Sequence, residues 1–191
     1  MSLLIIGLIV FLAAHSVRIY AEPWRGAMIA RIGPNAWKGL YSLVSLAGFV
    51  LLAWGYGQAR VGAAELWVTP AWLRYPALLL MLLSFILFAA VYVPRNRIKT
   101  VIGHPMVASV KLWAFAHLLT NSRAADLVLF GAFLIWSVVE YRSARRRDRL
   151  AGTPAPEGSW VNAAVASVIG LAVWLLFLIY LHSWLIGVPI V

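Results

Sequence analysis

Cysteine is absent from this sequence of 191 residues, and aspartate and glutamate are scarce. Without cysteine there are no disulfides, thiolate metal sites, iron–sulfur clusters or cysteine nucleophiles. The six acidic residues are scattered, which excludes a catalytic pair of carboxylates. No Ser-His-Asp ordering, HExxH motif, Walker loop or GxGxxG motif occurs either. Any chemistry would therefore depend on histidine, a metal or a haem.

Charge is also scarce, whereas apolar side chains are in large excess. Charged residues make up 12% of the chain and hydrophobic residues 63%, against about 25% and about 45–50% in ordinary soluble domains. A soluble protein of this length buries only about 70% of its unfolded surface, so the excess apolar surface needs a solvent other than water. The composition predicts an integral membrane protein whose first partner is the lipid bilayer.

Six apolar segments, separated by proline, glycine and clusters of charge, are candidates to cross the bilayer. They lie near residues 2–20, 36–57, 71–93, 105–120, 124–141 and 161–185. The predicted fold is all-α, a polytopic bundle of about six transmembrane helices in a single domain over residues 1–191. The fourth segment is short, about 24 Å as a helix, and only a few residues separate it from the fifth. These two helices should form a tight antiparallel hairpin.

The distribution of lysine and arginine predicts the orientation of the bundle. If a basic loop at 142–160 is cytoplasmic, that side carries thirteen of the sixteen basic residues, and the other side keeps Arg60, Arg74 and Arg123. Both termini should then lie outside the cytoplasm. The arginine run in this loop indicates a cytoplasmic stop signal that also touches anionic headgroups, rather than a phosphoinositide or nucleic-acid site. We expect no nucleic-acid partner.

Histidine is the most informative polar residue, because all four histidines lie in or at the edge of a predicted span: His15, His104, His117 and His182. Neutral imidazole is a common ligand of haem iron and other metals, and helix bundles hold such cofactors in their cores. The alternative is that each histidine only forms hydrogen bonds between packed helices. Rows of small residues in the second and sixth spans also have two interpretations: they leave room for a ligand between the helices, or they allow the helices to pack closely.

Helical geometry separates the roles of two histidines in the fourth span. At 100° per residue, His104 and His117 lie about 140° apart around the helix and cannot share a face. His104 should lie at the cytoplasmic boundary, whereas His117 should be deeper and face the bundle. His15 is predicted about 8 Å from the cytoplasmic end of the first helix, against about 20 Å for His117. Because transmembrane helices tilt, this difference in depth does not exclude that both residues bind one haem.

Four sequence blocks together resemble the NnrU family of bacterial membrane proteins. They are WKGLYSLVSLAG at 37–48, WGYG at 54–57, HPM at 104–106 and KLWAFAHLLTN at 111–121. The resemblance extends over nearly the whole chain. It implies a bacterial inner-membrane protein connected with nitrite and nitric oxide reduction in denitrification. It also implies kinship with 15-cis-zeta-carotene isomerase, a haem b membrane enzyme with histidine axial ligands.

Carried over to this chain, the resemblance implies that His117, His104 and His15 correspond to the histidines of the isomerase. No cysteine-dependent ligand exchange has a counterpart here. The predicted function is that of a haem b protein with His15 and His117 as ligands of the iron and His104 as a partner or alternate ligand. One alternative is a non-enzymatic partner that assembles or stabilises a membrane respiratory complex. Another is an isomerase-like enzyme that acts on an apolar membrane substrate.

Overall fold

The computed structural model of the protein describes residues 1–152 and 157–190, and over these residues it is helical without β-strands. The all-α prediction is confirmed. The α-helices are α1 Ser2–Tyr20, α2 Glu22–Ile32, α3 Pro34–Arg60, α4 Arg74–Tyr92, α5 Arg97–Ile102, α6 Pro105–Thr120, α7 Ala124–Leu150, α8 Trp160–Leu176 and α9 His182–Ile186. A 3-10 turn, Ala71–Leu73, leads into α4, and a π-helical segment, Phe177–Leu181, joins α8 to α9.

Within residues 1–152 and 157–190, five helical stretches are long and apolar enough to cross a membrane. They are Ser2–Tyr20, Pro34–Arg60, Ala71–Tyr92, Ala124–Leu150 and Trp160–Ile186. Helix α6 has the predicted bounds, but its 16 residues extend about 24 Å against a hydrocarbon core of about 30 Å. The protein is thus a polytopic membrane protein of apolar helices.

Three features differ from the sequence prediction. The connections contain two further helices, α2 and α5, each ended by a glycine with positive φ, 84° at Gly33 and 76° at Gly103. Helix α7 continues to Leu150, so the prediction of a loop is wrong for residues 142–150. Arginine and alanine are good helix formers, and no glycine or proline interrupts them before Gly152. Of the remaining predicted loop, residues 153–156 lie outside the described part of the chain.

The chain divides into two compact units. The first comprises Met1–Thr69 and Asn121–Trp136, and the second comprises Pro70–Thr120 and Ser137–Val191. Helix α7 therefore contributes its first half to one unit and its second half to the other.

In the first unit, α1 and α3 pack with their backbones in close contact. A Cβ atom at Gly7 would meet the backbone of Leu52, and one at Gly55 would meet the backbone of Leu4. Because the contact on α3 moves toward its C-terminus as the contact on α1 moves toward its N-terminus, the two helices are antiparallel. The small residues of α3 thus serve close packing.

In the second unit, α4 packs against both α6 and α8. Gly170 of α8 lies against the backbone of Ile86, and the side-chain amide of Asn162 donates to the carbonyl of Pro94 at 3.0 Å. These contacts make α4 and α8 antiparallel. The buried hydroxyl of Ser84 donates to the carbonyl oxygen of Ser109 at 2.8 Å and joins α4 to α6.

Candidate functional site

His15 lies in an aromatic cluster of the first unit. Its ring stacks on Phe11 with centroids 4.2 Å apart, and the rings of Tyr41 and Trp136 lie at 5.3 and 6.0 Å. Its Nδ1 is 2.8 Å from the carbonyl oxygen of Phe11, one helical turn earlier. Only a protonated Nδ1 can donate to a carbonyl, so this bond leaves the lone pair of the neutral ring on Nε2. Backbone bonds of this kind orient histidines that bind metals.

A buried indole N–H lies beside this imidazole. Trp136 meets the His15 ring edge to face, and its Nε1 is buried without an acceptor among the residues that the structure describes. A buried donor without a partner costs about 1–3 kcal/mol. The neighbourhood of His15 therefore offers one imidazole lone pair, an apolar aromatic wall and one unsatisfied donor.

His117 has the same local arrangement in the second unit. Its Nδ1 is 2.8 Å from the carbonyl oxygen of Trp113, and the two rings lie 5.2 Å apart. The residue is partly buried on α6. As at His15, the bond to the preceding turn leaves the imidazole lone pair on Nε2.

His104 is held differently, through a hydrogen bond to a carboxylate at the start of α6. Its Nε2 lies 2.8 Å from Oδ2 of Asp148 on α7, and its ring meets that of Tyr141 edge to face at 6.3 Å. Farther along α6, the ammonium of Lys111 lies 4.8 Å from the centre of the Tyr141 ring. These two contacts show that α6 and the second half of α7 run antiparallel within the second unit. No sequence pattern indicates the pairing of two residues 44 positions apart.

His182 and Glu140 both have partners close by in the sequence. Nδ1 of His182 is 2.7 Å from the carbonyl oxygen of Val188, near the C-terminus. Glu140, with a side chain only 13% exposed, forms an ion pair with Arg147 at 2.9 Å. This pair forms because helix α7 continues far enough to bring Arg147 close to Glu140.

Sequence reasoning missed a buried polar link in the first unit. The hydroxyl of Tyr56 donates to Oδ1 of Asp126 at 2.7 Å, and the backbone N–H of Arg123 donates to Oδ2 at 3.2 Å. Asp126 is only 4% exposed. It therefore caps α7, where an acidic residue also complements the helix dipole, and it fixes α7 to α3. Its position in the first turn indicates the cap, but nothing in the sequence indicates Tyr56.

Substituting Tyr56→Phe should lower stability, because it removes a donor from a buried carboxylate. We expect a loss of about 1–3 kcal/mol, measured as a lower Tm of the purified protein in a mild detergent. Tyr20→Phe is the matched control, since the Tyr20 side chain is 75% exposed and should be replaceable without effect. Equal Tm values for the two variants would show that the Tyr56–Asp126 bond contributes nothing to stability.

Among the residues of known placement, no three His, Cys, Asp or Glu side chains cluster as a site for a metal ion. Haem needs only one or two axial side chains, so single imidazoles such as those of His15 and His117 suit haem better than a bare ion. Their role as ligands stays a prediction.

Comparison with known proteins identifies one family. The family model described as NnrU protein matches residues 3–190. This range contains all the helices listed above, apart from the first residue of α1, as well as His15, His104 and His117. No curated protein gives a significant match, and no solved structure does either. The chain is a membrane protein that belongs to the NnrU family.

Proposed function

We propose that this NnrU protein binds haem b through transmembrane histidines and takes part in redox metabolism of nitrite and nitric oxide in the bacterial inner membrane. A bound haem would supply one-electron chemistry at its iron. The observation that carries the proposal is the repeated geometry of His15 and His117. Each imidazole lies in an apolar helix with Nδ1 2.8 Å from the carbonyl oxygen of the residue four positions earlier, so that Nε2 is the nitrogen that would bind the iron.

The surroundings of His15 fit a large planar group better than a simple packing role. Phe11, Tyr41 and Trp136 surround the imidazole with aromatic surface. The unsatisfied Nε1 of Trp136 could donate to an acceptor that the chain itself does not supply. The proposal gives His15 and His117 the role of iron ligands. His104, with Nε2 engaged by Asp148, has the role of holding α6 to α7.

The proposal includes an orientation with both termini outside the cytoplasm. In the second unit, basic residues gather at one end, where α4 finishes and α8 begins. The backbone N–H of Arg97 donates to the carbonyl of Ser159 there, and Arg95 and Lys99 lie in the same segment. Basic ends of this kind face the cytoplasm. A reporter fused after Val191 should therefore be active only outside the cytoplasm, and cytoplasmic activity would contradict the orientation.

A visible spectrum of the purified protein tests haem binding. The full chain, expressed with ample haem supply and purified in a mild detergent, should show a Soret band, and hemin added to haem-poor protein should restore it. No Soret band under either condition would contradict the proposal. A colourless protein that co-purified with a respiratory complex would instead favour the assembly role.

Trp136→Phe separates a cofactor role of the indole from a packing role. The substitution keeps the aromatic ring and removes the unsatisfied N–H, so Tm should stay equal or rise. If the N–H serves a bound haem, the affinity for hemin should fall about tenfold. Trp54→Phe is the matched control, because that ring is 64% exposed and lies on α3. An unchanged affinity of Trp136→Phe for hemin would show that the indole N–H takes no part in the proposed haem site.

A further inference from the structure

The last part of α7 carries four arginines and a tyrosine on one side of the helix. At about 100° per residue, these positions cover about 140° of its circumference. They line an open cavity of about 450 Å³. We call this surface the arginine face: Tyr141, Arg142, Arg145, Arg146 and Arg149.

Within the described residues, the guanidinium groups of the arginine face have no carboxylate as a partner. The fifth arginine of this run, Arg147, points to the opposite side, where it contacts Glu140 at 2.9 Å and Ser143 at 2.7 Å. None of the four arginines on the face forms an ion pair with a carboxylate within residues 1–152 and 157–190. Four positive charges at one cavity therefore favour the binding of an anion from outside the chain.

Neighbouring elements hold the arginine face in position. The hydroxyl of Tyr141 donates to the carbonyl of Ile102 at 2.8 Å, and Asp148 is paired with His104 at 2.8 Å. The guanidinium of Arg145 lies directly against Gly103, where a Cβ atom would be 2.6 Å from its Nη1. A surface held in this way loses less conformational entropy when it binds a ligand.

The length of α7 determines where the arginine face lies relative to the hydrocarbon core of the bilayer. Its 27 residues extend about 40 Å, whereas the hydrocarbon core is about 30 Å thick. The excess of about 10 Å equals the rise along the helix from Arg142 to Arg149. Aromatic residues mark membrane interfaces, and Tyr141 precedes the four arginines directly. The guanidinium groups thus fall at the level of lipid phosphates.

We propose that the arginine face is a binding site for the phosphate of an anionic phospholipid headgroup. Arginine forms paired hydrogen bonds with phosphate oxygens, and neighbouring arginines can share one headgroup. Free phosphate offers the same oxygen atoms, but the arginine face lies at the level of the lipid headgroups, which favours the phosphate of a lipid. The proposal does not depend on haem, so either can fail without the other.

Native mass spectrometry of the full chain in mild detergent can measure this binding. The probes are dioleoylphosphatidylglycerol, dioleoylphosphatidylcholine and inorganic phosphate. We expect the first lipid to bind at least about tenfold more tightly than the second. The double substitution Arg142→Gln with Arg146→Gln should weaken its binding about thirtyfold, because each basic residue contributes roughly a factor of five.

The control removes two positive charges from the first unit instead, by Arg31→Gln with Lys38→Gln. Both side chains are exposed, and affinity for the anionic lipid should change by less than about threefold. Equal losses in the two double variants would overturn the proposal, because net charge alone would explain the binding. Equal affinity for the two lipids would also overturn it, as would inorganic phosphate that binds as tightly as the anionic lipid. Unchanged Tm of both variants verifies that they are folded.

Discussion

Replacing His15 or His117 with alanine should lower the haem bound per protein at least about tenfold. Each substitution removes the Nε2 lone pair that the proposal assigns to the iron and leaves the rest of its helix unchanged. His182→Ala is the matched control, since that imidazole contacts Val188 near the C-terminus and has no ligand role in the proposal. The measurement is the haem-to-protein ratio from a pyridine haemochrome spectrum of each purified variant.

Imidazole rescue distinguishes a lost ligand from a damaged fold. If His15 binds iron, added imidazole should restore the Soret band in His15→Gly, because a free ligand can replace the missing side chain. A packing defect would not respond in this way. Haem content equal to that of the unsubstituted protein in both alanine variants would contradict the assignment of His15 and His117.

Gly55→Ala should destabilise the pairing of α1 with α3. The added Cβ would collide with the backbone of Leu4, and backbone atoms cannot move aside as the end of a flexible side chain can. Overpacking of this kind costs about 1–3 kcal/mol or more. The expected result is a lower Tm in the detergent used for the unsubstituted protein.

Gly57→Ala is the control, because a Cβ there would have no heavy atom within 4 Å. Alanine is the better helix former by about 1 kcal/mol, so this variant should be as stable as the unsubstituted protein or more so. Of two alanines only two residues apart on α3, only the one at position 55 should therefore lower Tm. A Gly55→Ala variant as stable as Gly57→Ala would contradict the close packing of α1 and α3.

The transmembrane helices follow from the length of the apolar segments, and the bounds of α6 are confirmed to the residue. Helices α2 and α5 were not predicted, because eleven and six residues with interspersed charge do not form an apolar run. The end of α7 differs from the prediction for a related reason. A dense arginine run after an apolar segment indicates a loop, although these residues are compatible with a helix once it leaves the hydrocarbon core.

The candidate site was predictable only in part. The histidines stand out because polar groups are costly in a bilayer, and the first turn of α7 indicates a role for Asp126 as a cap. The residues that contact these histidines and Asp126 were not predictable from the sequence. Lipid and protein interior are both apolar, so the sequence of such a helix carries little periodicity to show which face is buried. The contacts of His15 with Trp136 and of Tyr56 with Asp126 depend on how each helix is rotated about its own axis, because this rotation decides which face is buried.

Histidine ligation of haem iron is the central claim, and electron paramagnetic resonance tests it most directly. The ferric protein would be prepared twice, once with ordinary histidine and once with histidine whose ring nitrogens carry a different isotope. The account predicts a hyperfine coupling between the iron and a ring nitrogen that changes with the isotope. Identical nitrogen couplings in the two samples, or an iron signal without any nitrogen coupling from histidine, would contradict it.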